Sequence, residues 1–220
     1  MKAPSTHTLK ITLFVLGVML LVCAPFLFLG EEYVLPLLES RGGRVGALVT
    51  VAIALLAADS VAPVPATIVI MFLAWKAGWV AGVVGGTVGM SLGVLVAGWF
   101  GREAVGRIAP RFVPDAALAR LREALQRRLG LTLACFRSVP VMAETSVIVA
   151  AATGVPLRRI FWATLLPNFA VALVYSAAAA MSQSAQDSGA TAAIAFLATM
   201  AASYALWRWL GRTTATAPAS

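Results

Sequence analysis

Histidine, cysteine and charge are all scarce in this chain, and each scarcity closes off a class of chemistry. The only histidine is His7, in a polar N-terminal stretch, and the only cysteines are Cys23 and Cys135, both inside apolar runs. A His/Cys metal centre has almost no material, and no metal or other cofactor is expected. Histidine-based hydrolase or phosphatase chemistry is nearly excluded for the same reason. No nucleophile–base pair is visible, so the chain does not read as an enzyme. The cysteines read as small buried hydrophobes rather than as a disulfide. Charged residues are 12% of the 220, roughly half the share of a soluble domain.

Apolar residues fill that space. They make up 60% of the chain, and the mean hydropathy is +0.90. Because apolar runs recur from end to end, the expected class is an all-α, polytopic membrane protein. The net charge of +8 fits the Lys/Arg excess of cytoplasmic loops and an attraction to anionic lipid, not a nucleic-acid partner. Richness in Ala, Gly and Arg suggests a high-GC bacterial source, hence the bacterial inner membrane.

Four runs are long enough to span. Ile11 to Gly30 follows Lys2 and Lys10 and exceeds a signal-peptide core; Pro25 disfavours cleavage after Ala24, so it reads as an uncleaved helix. Glu31 to Arg44 is an external loop. Trp79 to Gly101 carries Gly82, Gly85, Gly86, Gly89, Gly93 and Gly98, a small-residue spacing that lets another helix approach closely. Ile160 to Met181 is interrupted by Pro167-Asn168, and Thr191 to Leu210 is the last span. Between the second and third lies the arginine-rich segment 102–130, divided by Pro110 and Pro114. From Asp115, read as an N-cap, Ala116, Leu118, Leu121 and Leu125 lie close to helical spacing, which predicts an amphipathic helix on the cytoplasmic surface.

Two further apolar stretches are too short to cross a bilayer, and each is broken by proline beside an ionisable residue. The first break is Asp59 to Thr67, with Pro63 and Pro65; the second is Arg137 to Thr145, with Pro140 and Glu144. Each is followed by a Gly-containing turn and a long apolar run. Charge and unwound backbone at membrane depth are tolerated only where they line a protein-enclosed cavity. Two such breaks in corresponding positions of two halves point to a transporter-like binding site. The expected fold therefore has four spanning helices and two oppositely oriented re-entrant hairpins, an inverted repeat. Residues 1–44 form the first helix and loop, 45–182 the core, and 183–220 the last helix and a polar tail. The positive-inside rule puts both termini in the cytoplasm and misplaces only Lys76 among clear cases.

Arg137 either snorkels toward the interface and pairs with Glu144, or binds an anionic head group bidentately. Asp59 and Glu144 are either charge partners or carboxyls that load and release a proton during transport. Pro63, Pro65 and Pro140 stop helices and free backbone groups to face a cavity. Asn168 is either an interhelical hydrogen bond or a site residue.

At these residues the chain resembles the DedA/VTT superfamily, the SNARE-associated Golgi proteins. The resemblance covers roughly Val45 to Ala180. It rests on Asp59 with Ala62-Pro63-Val64-Pro65, on Gly93 with Gly98-Trp99-Phe100-Gly101-Arg102, on Phe136-Arg137-Ser138-Val139-Pro140, and on Gly154-Val155-Pro156-Leu157-Arg158-Arg159-Ile160-Phe161. The resemblance implies two facing re-entrant hairpins and a link to lipid translocation or proton-motive-force homeostasis. It maps the family's break acid to Asp59 and its Arg-x-x-Pro arginine to Arg137. The chain departs from the pattern with Thr67 in place of a second acid, Gly93-Val94 in place of Gly-Asp, and Ala143 followed by Glu144 in place of a second arginine. These departures mark a divergent branch.

The function expected from all this is a membrane lipid transporter, of flippase or scramblase type, for a polyprenyl phosphate or a phospholipid. Its partner is a lipid with an anionic head group, with proton coupling as an option. The alternatives are a proton-coupled carrier of a small solute and a non-transporting membrane scaffold. Glycine-rich spans permit a homo-oligomer without requiring one.

Overall fold

A computed structural model of the chain describes residues 45–59, 64–137 and 142–181, together with 194–195, 197–201 and 205. The expected first span, the external loop, Pro63, Pro140, the polar tail and most of the last span lie outside the described residues. Within them the protein is all-helical, 92% helix with no strand. The helices are α1 (Val45–Ala58), α2 (Ala66–Ala77), α3 (Trp79–Phe100), α4 (Gly106–Phe112), α5 (Asp115–Arg127), α6 (Leu129–Arg137), α7 (Met142–Ala152) and α8 (Leu157–Met181). A π-helical turn, Gly101–Val105, joins α3 to α4 without a break, so that Trp79–Phe112 is one helix of 34 residues. Among the described residues, this helix and α8 are the two long and apolar enough to cross a membrane.

Glycine makes α3 the hub. Gly82, Gly85, Gly86, Gly89, Gly93 and Gly98 are all buried. What a side chain at each would strike gives the direction of every neighbour. Gly85 faces Ile53 and Gly93 faces Ala57, so α1 runs parallel to α3. Gly82 meets Ala74 and Gly86 meets Ile70, so α2 runs against it. Gly82 also meets Ser176, Gly86 meets Ala172 and Gly98 meets Leu157, so α8 runs against it too. Gly101 meets Ile148 and Gly106 meets Ala152, so α7 runs with it. Gly101 has no tolerance for a side chain, since a Cβ there would lie 2.9 Å from the Ile148 Cα. The π-helical turn sits where the α7 backbone presses in.

Two apolar cores result. One joins α1, α2 and α8 through Leu48, Leu56, Ile70, Leu73 and Ala172, and takes in Ala195. The other joins the end of α3 to α6, α7 and the start of α8 through Val94, Ala97, Leu133, Ile148 and Ile160. The expected Gly turns are both present. Gly78 (φ 93°) follows α2 and Gly154 (φ 86°) follows α7, each in the left-handed region that disfavours a side chain.

Several expectations are corrected. The helix does not end at Gly101; it runs on through Pro110, which sits in the last turns of α4. Asp115 is not the N-cap of α5. Pro114 holds that place with extended backbone, and Asp115 is the first-turn acid, where its charge complements the helix dipole. The amphipathic helix expected from Asp115 is present as α5, and its Leu121 and Leu125 pack on the second core. Pro167 does not interrupt α8, which is continuous through it. Both breaks are narrower than expected: Thr67 is already in α2, Arg137 is still in α6, and Glu144 is in the first turn of α7.

Candidate functional site

The site begins with the helix ends. Pro65 stops backward extension of α2 and presents its carbonyl to the N–H groups of Ile68 and Val69, at 3.0 and 3.2 Å. Asp59, one residue past α1, reaches across the break: its Oδ1 accepts the Val64 N–H at 3.1 Å. That bond closes the loop between two helices that a span would have merged.

The second break is built from charge as well as proline. Arg137 occupies the last turn of α6 and Glu144 the first turn of α7. A cation at a helix C-terminus and an anion at a helix N-terminus both match the dipole. The two side chains converge, with Arg137 Nη1 3.8 Å from Glu144 Oε1, and they are 8% and 15% exposed. At that separation they form an ion pair but not a hydrogen bond, so the guanidinium fork is not spent on Glu144.

The two breaks meet. Asp59, Arg137 and Glu144 line one pocket, closed by Leu56 of α1, Met90, Gly93, Val94 and Ala97 of α3, and Val147 of α7. Asp59 feels the charges of both Arg137 and Glu144. The free space is about 10 Å³, enough for about one water molecule. Gly93 is what brings the first break in, because a Cβ there would lie 2.8 Å from the Leu56 carbonyl oxygen.

Pro65 and Thr67 shape the first break from α2 but do not line the pocket. Asn168 does not line it either. It is fully buried and its Nδ2 donates to Ser91 Oγ at 3.2 Å, an interhelical bond between α8 and α3. Its Oδ1 is buried without a partner among the described residues. The residues the sequence did not point to are Leu56, Met90, Ala97 and Val147, whereas Val94 marks the departure from the family's Gly-Asp. Apolar wall positions carry no chemical signal, and only the α3 register selects them. Lys76, the misplaced cation, lies 4.3 Å from the Trp75 ring centroid and 5.8 Å from that of Phe72. Such contacts favour a cation beside an interfacial aromatic.

With this geometry in hand, comparison with protein-family models, curated proteins and solved structures finds no match to the chain.

Proposed function

We propose that the protein is a membrane lipid transporter of flippase or scramblase type, in which Arg137 engages the lipid phosphate while Asp59 and Glu144 balance its charge. The observation that carries this is the convergence of both helix breaks on one pocket holding a buried guanidinium and two carboxyls. In this reading α1–α2 and α6–α7 are re-entrant hairpins entering from opposite faces, and four spans complete an inverted repeat. The helix directions support it: α3 and α8, which follow the two hairpins, run against each other, and so do α2 and α7.

Membrane embedding is supported by the exposed faces. Val80, Val84, Val88, Leu92, Leu95 and Trp99 form an exposed stripe along α3, and Trp162, Leu166, Phe169 and Leu173 form one along α8. Val80 to Trp99 covers about 29 Å at 1.5 Å per residue, close to the roughly 30 Å hydrocarbon core. Trp75, Lys76 and Trp79 stand at one edge of this band; Trp99, Arg102, Arg158 and Arg159 stand at the other. The arginine-rich edge is the cytoplasmic one in this reading, with the bacterial inner membrane as the location. The pocket holds about one water, so a head group enters only after the walls around Arg137 move apart.

The test is lipid translocation in proteoliposomes, with acyl-labelled phospholipid and a polyprenyl-phosphate analogue, comparing wild type with Arg137→Ala at matched incorporation and with or without a pH gradient. Movement by wild type alone supports the proposal. No movement of either lipid by folded wild type removes it, and leaves a carrier of small solutes or a scaffold.

A further inference from the structure

We infer that α8 is a hinge: the two apolar cores are two bodies, and bending of α8 at Pro167 parts them and opens the pocket around Arg137. This supplies the opening step that the lipid-transport reading requires, and it can be tested without lipid.

Among the described residues, two helices contribute to both cores. α8 packs on the second core through Leu157, Ile160 and Ala163, and on the first through Val171, Ala172 and Tyr175. α3 gives Met90 to the first core and Val94 and Ala97 to the second. The seam between the bodies therefore crosses α8 between Ala163 and Val171, and α3 between Met90 and Val94. The Asn168–Ser91 bond lies on this seam in both helices. The pocket straddles it as well. Leu56 and Met90 wall it from the first body, and Val94, Ala97 and Val147 from the second.

The seam falls where both helices bend most easily. Pro167 has no N–H, so the Ala163 carbonyl lacks its helical donor. Bending an intact helix in lipid breaks a backbone bond that no water replaces, and here that bond is already missing. Three residues earlier, Thr164 Oγ1 donates to the carbonyls of Ile160 and Phe161, each at 3.0 Å. Such back-bonding favours a bend. On α3 the seam carries Ser91 and Gly93, and Gly/Ser pairs are another usual site of helix kinks. Asn168 and Ser91 meet on the axis, where rotation changes distances least. Their bond holds the bodies together without locking them.

The test reads pocket opening directly. Full-length protein in liposomes, with Cys23 and Cys135 changed to Ala, carries Val147→Cys as a thiol in the pocket wall, where Val147 is 1% exposed. A water-soluble maleimide reaches that thiol only when the walls part, since the closed pocket holds about one water. Pro167→Ala restores the missing donor. It is expected to slow labelling about fivefold, the factor of one backbone hydrogen bond, without lowering the unfolding temperature. Thr164→Val is expected to slow it about twofold. Pro110→Ala, which mends a helical proline away from the seam, is expected to leave the rate unchanged. Labelling that Pro167→Ala does not slow, an equal slowing by Pro110→Ala, or a Val147→Cys thiol that never reacts in folded protein would each overturn the hinge. Slowed labelling in Pro167→Ala while folded wild type moves neither lipid leaves the hinge standing and removes the transport reading.

Discussion

Gly93 of α3 lies against the carbonyl oxygen of Leu56 in the last turn of α1, so near that a methyl group on Gly93 would sit 2.8 Å from that oxygen. The contact is backbone against backbone, and no rotamer change relieves it. It also places Asp59, three residues beyond Leu56, in the pocket. Gly93→Ala is therefore expected to lower stability by about 1–3 kcal/mol, the usual cost of overpacking. It is expected to impair translocation as well, since α1 must withdraw. Thermal unfolding in detergent and liposome flux read the two effects. An unchanged Gly93→Ala protein would show that α1 is not held at this distance.

Arg137→Ala leaves the Asp59 and Glu144 carboxyl groups in one pocket without the cation between the two breaks. Removing one partner of a buried pair typically costs about 3–5 kcal/mol, most of it from the charge left behind. The double variant Arg137→Ala with Glu144→Ala is expected to recover much of the loss in unfolding temperature while staying inactive in flux. If Glu144→Ala gives no recovery, the 3.8 Å pair is not a coupled one.

How much of this was legible beforehand follows from the kind of signal each residue gives. Pro65, Gly78 and Gly154 announce breaks and turns through covalent constraint, and these held. The glycine face of α3 was legible for the same reason. Helix limits were not: Arg137 and Glu144 read as part of an unwound segment, yet each is the terminal charge of a helix, since nothing in a single sequence marks where a helix end frays. The Pro114–Asp115 order misled because both residues suit a helix start, and backbone geometry decides between them. Ser91 gave no sign at all. Its partnership with Asn168 depends on the α3–α8 register, which is a tertiary quantity.

Asp59 has two roles that substitution separates. Asp59→Asn retains an acceptor for Val64 N–H, whereas Asp59→Ala loses it. The alanine variant is expected to lose about 1–2 kcal/mol, the cost of leaving a partly buried donor unmet, and the asparagine variant much less. Equal unfolding temperatures for the two would mean that the Asp59–Val64 bond does not hold the break.

The Asn168–Ser91 bond joins the two long helices away from the pocket, so it should govern stability without governing transport. Interhelical polar bonds in membranes average about 0.6 kcal/mol, with a maximum near 1.7. Asn168→Ala and Ser91→Ala are each expected to fall in that range. The double variant is expected to cost less than their sum, because the second change removes a bond already lost. Asn168→Ala also deletes the buried Oδ1, which lacks a partner among the described residues, and this places its cost at the low end. Flux per folded molecule is expected to stay at the wild-type level in all three. A collapse of flux in Asn168→Ala at unchanged stability would move Asn168 from the packing between α3 and α8 into the transport path.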